Sequence, residues 1–103
     1  SCMLLDCNLS AQALATGIKC AKNKHIPAYV SGVSEVKCLR ILAADVPPDA
    51  VFLNANEMAH MLKKLLQAEN FKDVAQLVDT TFVVTEGEKG VTIYSPDGQK
   101  PHF

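Results

Sequence analysis

The sequence predicts an α/β fold, a three-layer α/β/α arrangement with a parallel sheet and a terminal β-hairpin. Three observations predict it. Short apolar runs alternate with amphipathic helical patterns three times over, the rhythm of a parallel sheet covered on both faces by its crossover helices. Polar residues follow the apolar runs at once, as they do where strands reach a loop-bearing rim. Late in the chain, Val91-Thr92-Ile93-Tyr94-Ser95 and Gln99 to Phe103 flank Pro96-Asp97-Gly98, a turn sequence that reads as a hairpin.

Each element has its own signal. Met3-Leu4-Leu5 stops at Asp6-Cys7-Asn8 and reads as a buried strand. Ser10 is placed to cap a helix in which Ala11, Leu14, Ala15, Ile18 and Ala21 form one apolar stripe. Lys19, Lys22 and Lys24 fall in its last turn, where cations oppose the negative end of the helix. After the turn at His25-Ile26, Pro27-Ala28-Tyr29-Val30 is the second strand. Ser34 to Leu42 is expected to form a short helix with Val36, Leu39 and Ile41 partly buried. Pro47 and Pro48 then break the chain, because neither can continue a helix. Ala50-Val51-Phe52-Leu53 is the third strand, and Met58, Met61, Leu62, Leu65 and Leu66 give the next helix a clear core stripe. Asn70 caps a further helix bearing Phe71, Val74, Ala75 and Val78. Thr81 to Thr85 is the fourth strand and runs into Glu86-Gly87-Glu88-Lys89-Gly90.

Size and composition bound the rest. The 103 residues make one domain at most, and 49% apolar with 20% charged residues is a globular balance. A net charge of −1 removes the electrostatic argument for a nucleic-acid or anionic-membrane partner. Cys2, Cys7, Cys20 and Cys38 show no C-x-x-C spacing and the histidines are scattered, so four reduced thiols are expected and a zinc site is unsupported. The first residues lack the pattern of a signal peptide, and no apolar run approaches the ~20 residues a bilayer requires. A cytoplasmic location is the resulting expectation. The chain starts without Met and stops inside a strand-like segment, which points to a piece of a longer protein.

Open parallel sheets collect ligands beyond the carboxyl ends of their strands. The residues there are Asp6 and Asn8, Ser31 and Ser34, Asn54, Asn56 and Glu57, and Thr85, Gly87 and Gly90. Carboxylates with amides suit Mg²⁺ and its waters. A glycine-rich turn lets backbone N–H groups approach an anion, and Lys89 or the Thr85 hydroxyl could reach a phosphate. The 85–90 segment lacks the G-x-x-x-x-G-K-[ST] spacing of a Walker A loop and is followed by a strand, so a plain strand connection remains open beside an anion site. Asp79-Thr80-Thr81 begins a strand on the opposite rim, where turn formation is the expected role.

Phe82-Val83-Val84-Thr85-Glu86-Gly87-Glu88-Lys89-Gly90-Val91 resembles the V-T-x-G-x-x-G-V segment of the PfkB, or ribokinase-like, sugar and nucleoside kinases. Phe52-Leu53-Asn54-Ala55-Asn56-Glu57 resembles their strand-P-N-E-x-E-helix element, and Asp6-Cys7-Asn8 their D-x-N segment. Asp6-Cys7-Asn8-Leu9, His25-Ile26-Pro27-Ala28-Tyr29 and Gly32-Val33-Ser34-Glu35-Val36-Lys37 look closest to pseudouridine kinases within that family. The elements match in order and cover essentially the whole chain.

The resemblance implies ATP-dependent transfer of a γ-phosphoryl group to a hydroxyl of a sugar or nucleoside, pseudouridine among them, with Mg²⁺. It implies that Thr85, Gly87, Lys89 and Gly90 hold nucleotide phosphates. Asn56 and Glu57 would lie near Mg²⁺ and phosphate, Asn8 and Asp6 would line the same cleft, and Lys37 would contact phosphate or substrate. Two departures stand out. Aligning the family's acids on Asn56-Glu57 puts Ala59 where the second acid belongs, whereas Asn54-Ala55-Asn56-Glu57 restores N-x-x-E literally; Gly32 replaces the proline expected before Val33. By the same resemblance, residues 1–103 are the central part of a kinase domain. They lack the N-terminal substrate and lid region and the G-A-G-D segment with the catalytic base, so the piece alone is expected to be inactive. The alternatives are a non-catalytic α/β domain that binds a nucleotide or a partner, and a receiver-like domain, which the lone Asp6 and the asparagines after the middle strand disfavour.

Overall fold

A computed structural model describes residues 1–65, 67–98 and 101–103. Its centre is a five-stranded sheet in the order β1 (Met3–Asp6), β2 (Ala28–Ser31), β3 (Ala50–Asn54), β4 (Thr81–Thr85), β5 (Val91–Tyr94). The first four strands are parallel, and β5 runs antiparallel to β4. The expected class, a mainly parallel α/β sheet with an antiparallel closure, is the one observed.

The helices start where side chains satisfy the free backbone N–H groups of a first turn. In α1 (Ala11–Asn23), Ser10 Oγ accepts from Ala13 N–H at 3.1 Å. In α4 (Phe71–Val78), Asn70 Oδ1 accepts from Asp73 N–H at 3.0 Å. The α3 helix (Ala55–Lys64) has a full capping box: Asn54 Oδ1 accepts from Glu57 N–H at 2.8 Å, and Glu57 Oε1 accepts from Asn54 N–H at 2.9 Å. A 3₁₀ turn at Lys37–Leu39 leads into the short α2 (Arg40–Ala44). The helix expected from Ser34 therefore begins later, and Val36 is 73% exposed instead of partly buried.

One core holds the layers together. Leu14, Ile18 and Ala21 of α1, Ile41 and Ala44 of α2, Met58 and Met61 of α3, and Val74 and Ala75 of α4 pack on Ala28, Val30, Val51, Leu53, Phe82 and Val84. Each of the larger side chains fully buried here contributes about 1.5–3 kcal/mol. Every strand residue in this list points to the same side. The expected cover on both faces is thus met on one face by the described residues. Sequential strand order is the reason: same-handed crossovers that all step in one direction put every helix on one side. The other face carries Leu4, Tyr29, Phe52, Val83 and Ile93, with Leu4 75% and Phe52 46% exposed.

Boundaries shift where hydrogen bonding decides them. The second strand starts at Ala28, not Pro27, which has no N–H to give, although its carbonyl accepts from Met3 N–H at 2.8 Å. The α3 helix ends at Lys64, so Leu65 is extended, and Leu66 lies outside the described residues. The late hairpin closes in part: Thr92 and His102 form an isolated antiparallel bridge, and Val91 and Phe103 exchange backbone bonds of 2.8 and 2.7 Å. Gln99 and Lys100, placed in its second arm, are outside the described residues. Asp79 is the left-handed C-cap of α4, in keeping with the turn role expected for it.

The four cysteines are free, with Cys2 exposed and Cys7 and Cys38 buried. Burial pushes the Cys7 thiol up to about 12, helped by the neighbouring Cys38, and burial with the nearby Glu57 charge pushes Cys38 up to about 11. Both stay protonated well above neutral pH. At about pH 8 an alkylating reagent is expected to modify Cys2 readily and to spare Cys7 and Cys38. Peptide mass spectrometry reads the result, and equal labelling of Cys7 and Cys2 would contradict the buried placement.

Candidate functional site

Parallel pairing in register brings the carboxyl ends of β1 to β4 to one rim. Asp6 pairs with Ser31, and Asn54 pairs with Thr85. Two adjoining depressions open there and share Asn54 and Thr85. One is lined by Asn54, Ala55, Asn56, Thr85, Glu86, Gly87 and Lys89. The other is lined by Ser31, Val33, Phe52, Leu53, Asn54, Glu57 and Thr85.

The first depression joins the start of α3 to the turn between β4 and β5. That turn is a 3₁₀ segment at Gly87–Lys89, closed by Glu86 N–H to the Gly90 carbonyl at 2.8 Å and Lys89 N–H to the Glu86 carbonyl at 3.1 Å. Gly87 has φ 61° and nothing within 4 Å of where a Cβ would stand, so it faces open space. Gly90 differs. A Cβ there would lie 2.0 Å from the Phe103 carbonyl oxygen, so Gly90 allows a close backbone approach on the far side of the turn and lines neither depression. Thr85, Gly87 and Lys89 are exposed. Gly87→Ala should fold and lose about 1 kcal/mol of stability, the cost of an L side chain at left-handed φ. A denaturant melt checks this.

Asn54 and Glu57 hold each other in the capping box, which sets the N-x-x-E spacing as a structural pair. Glu57 is buried, and Asn56, one position before it, is exposed at the rim. Among the described residues no group of three His, Cys, Asp or Glu side chains lies together as a metal cage. The donor set fits a Mg²⁺ bound by one carboxylate and by ligand phosphates, the usual mode for that ion, in preference to an all-protein site.

Asp6, Asn8 and Lys37 form a separate cluster at the end of β1. Asp6 Oδ1 accepts from Asn8 N–H at 2.9 Å, and Lys37 Nζ donates to Asn8 Oδ1 at 2.8 Å. Sequence reasoning missed what holds this loop. Arg40, the chain's one arginine, donates through Nη1 to the carbonyls of Cys7, Asn8 and Leu9 at 2.8, 3.0 and 3.2 Å. Its rarity was the only signal in the sequence. The capping box, by contrast, was legible as N-x-x-E before an apolar stripe.

The chain superposes on parts of solved kinases and a PfkB protein. It matches a carbohydrate kinase from Agrobacterium tumefaciens with TM-score 0.75 and 21% identity, over 92% of this chain and 30% of that one. A PfkB protein from Polaromonas sp. JS666 matches with TM-score 0.71 and 11% identity, over 97% and 38%. The chain has the fold of a part of these PfkB-type kinases. An aminoimidazole riboside kinase from Salmonella enterica, solved with aminoimidazole riboside and an ATP analog, shares this PfkB-type fold with TM-score 0.57 and 16% identity, over 86% and 32%. The chain thus spans about a third of the length of these PfkB-type structures. No family model matches the sequence, and no curated protein matches it. No described helix is long and apolar enough to cross a membrane.

Proposed function

We propose that residues 1–103 form the nucleotide-phosphate side of an ATP-dependent sugar or nucleoside kinase, a part of a longer PfkB-type domain. The observation that carries this reading is the depression in which the start of α3 meets the turn bearing Thr85, Gly87 and Lys89. The capped start of α3 still presents the positive end of its dipole, Gly87 lets an anion approach the backbone, and Lys89 adds an exposed positive charge. Together they suit a polyphosphate. Phosphoryl transfer asks a protein mainly for positioning and charge stabilisation, which is what such residues provide. Mg²⁺, brought on the nucleotide, would neutralise phosphate charge; Glu57 of the adjoining depression, with Asn54 or Asn56, would supply its protein donors. Asp6, Asn8 and Lys37, which line neither depression, would act beside the cleft from the end of β1, and Gly90 would act by shaping the turn.

Pseudouridine is the acceptor that the Asp6-to-Leu9 and Gly32-to-Lys37 runs favour. The base that would take the acceptor's hydroxyl proton is expected outside this chain, since no G-A-G-D run occurs in it. The isolated chain mixed with ATP, Mg²⁺ and a panel of nucleosides and sugars is therefore expected to release no ADP above background. Measurable acceptor-dependent ADP release would show that the chain holds a complete catalytic centre.

A further inference from the structure

Among the described residues, four that are not glycine adopt left-handed φ: His25 at 58°, Val33 at 70°, Asp45 at 55° and Asp79 at 60°. Asp45 and Asp79 are helix C-caps, and His25 follows the C-cap of α1, so a left-handed residue is ordinary at all three. Val33 is at no helix end. It is β-branched, and it sits at the centre of a three-residue turn closed by Ser34 N–H to the Gly32 carbonyl at 2.8 Å. That turn type is rare and strained, and a β-branched residue is among the worst suited to it.

The strain is held in place from both sides. Gly32 N–H donates to the Phe52 carbonyl at 3.0 Å, and a Cβ on Gly32 would stand 2.1 Å from Leu53 Cδ2, so the turn is wedged against β3. On the other side, Ser34 Oγ accepts from Lys37 N–H at 3.1 Å, and the Ser34 carbonyl accepts from Cys38 N–H at 2.9 Å. What the turn achieves is to leave Val33 44% exposed at the depression that Phe52, 46% exposed, also lines. Folding gains little from an exposed valine in a strained turn. Persistent strain of this kind is characteristic of ligand-contacting segments. The depression is two-natured, with Val33, Phe52 and Leu53 apolar and Ser31, Asn54, Glu57 and Thr85 polar, and it adjoins the phosphate-side depression through Asn54 and Thr85.

We propose that Val33 is a specificity-determining residue, whose strained turn presents an apolar wall to the ring of a nucleoside phosphate acceptor. The inference rests on the kinase reading above and adds to it where the acceptor's ring lies and which residue selects it. A ring with an apolar face and polar edges fits such a depression, and a free polyol does not.

The test is a ¹⁵N NMR titration of the 103-residue chain and of its Val33→Asn and Val33→Ile variants, with uridine, ribose and MgATP as separate probes. Asn tolerates left-handed φ, so V33N is expected to melt higher by roughly 4 °C or more. It should nevertheless bind uridine about tenfold more weakly, with MgATP binding unchanged. V33I, which keeps the apolar branch, should bind uridine as the parent chain does, and ribose should bind to none of the three. Unchanged uridine affinity in V33N, or an equal loss for uridine and MgATP, overturns the proposal. A parent chain that binds MgATP at Thr85, Gly87 and Lys89 but not uridine also overturns it while leaving the kinase reading intact. A parent chain that binds uridine but shows no binding of MgATP would count against the kinase reading instead.

Discussion

Arg40→Ala is expected to lower the melting temperature by roughly 10 °C and to free the loop after β1. The guanidinium nitrogen Nη1 serves the carbonyls of Cys7, Asn8 and Leu9 at once, at 2.8 to 3.2 Å. Hydrogen bonds from a charged donor contribute about 1.5–3 kcal/mol, and each kcal/mol moves the Tm of a domain this size by roughly 4–8 °C. Half-burial of Arg40 places the effect toward the lower part of that range. Lysine should not restore the parent's stability, because its ammonium is more strongly hydrated than a guanidinium and loses more on leaving water to sit among the three carbonyls. Calorimetry gives the Tm, and amide exchange at Asn8 and Leu9 reports the loop. An R40K variant with the parent's melting temperature would show that charge alone is enough.

Lys89→Ala is expected to weaken MgATP binding by about tenfold or more while leaving the fold intact. The loss corresponds to one charge-assisted contact to phosphate, about 1.5–3 kcal/mol. The Lys89 side chain is exposed, and the turn's backbone closure runs through its N–H and through Glu86 and Gly90, which alanine preserves. A structural role for Lys89 would instead appear as a lower Tm. Calorimetric titration at two ionic strengths separates the cases further, since added salt should weaken binding to the parent chain more than to K89A. Equal affinity in both chains would remove Lys89 from the phosphate site.

Much of this was legible in the residues. The strand and helix order followed from period and caps, because Ser10, Asn70 and the polar residues after each apolar run act locally. The Thr85-to-Gly90 turn could be singled out since glycine at left-handed φ, here Gly87 and Gly90, is a local requirement as well. What escaped the sequence depends on contacts distant along the chain. That Arg40 reaches the loop after β1, and that Leu53 Cδ2 stands where a Cβ on Gly32 would be, are facts of packing. The single-sided helical cover follows from strand order, which periodicity does not encode. The late start of α2 reflects the turn at Val33, whose strain opposes what valine favours by itself.

The central claim is that the turn between β4 and β5, with the start of α3, forms a nucleotide-phosphate site. A ¹⁵N NMR titration of the 103-residue chain with MgATP tests it most directly. The account predicts saturable shifts at Thr85, Gly87, Lys89 and Asn56, with little change at Asp45, Leu77 and Val78 on the helical side. Shifts confined to the helical side, or none at millimolar nucleotide, would contradict it.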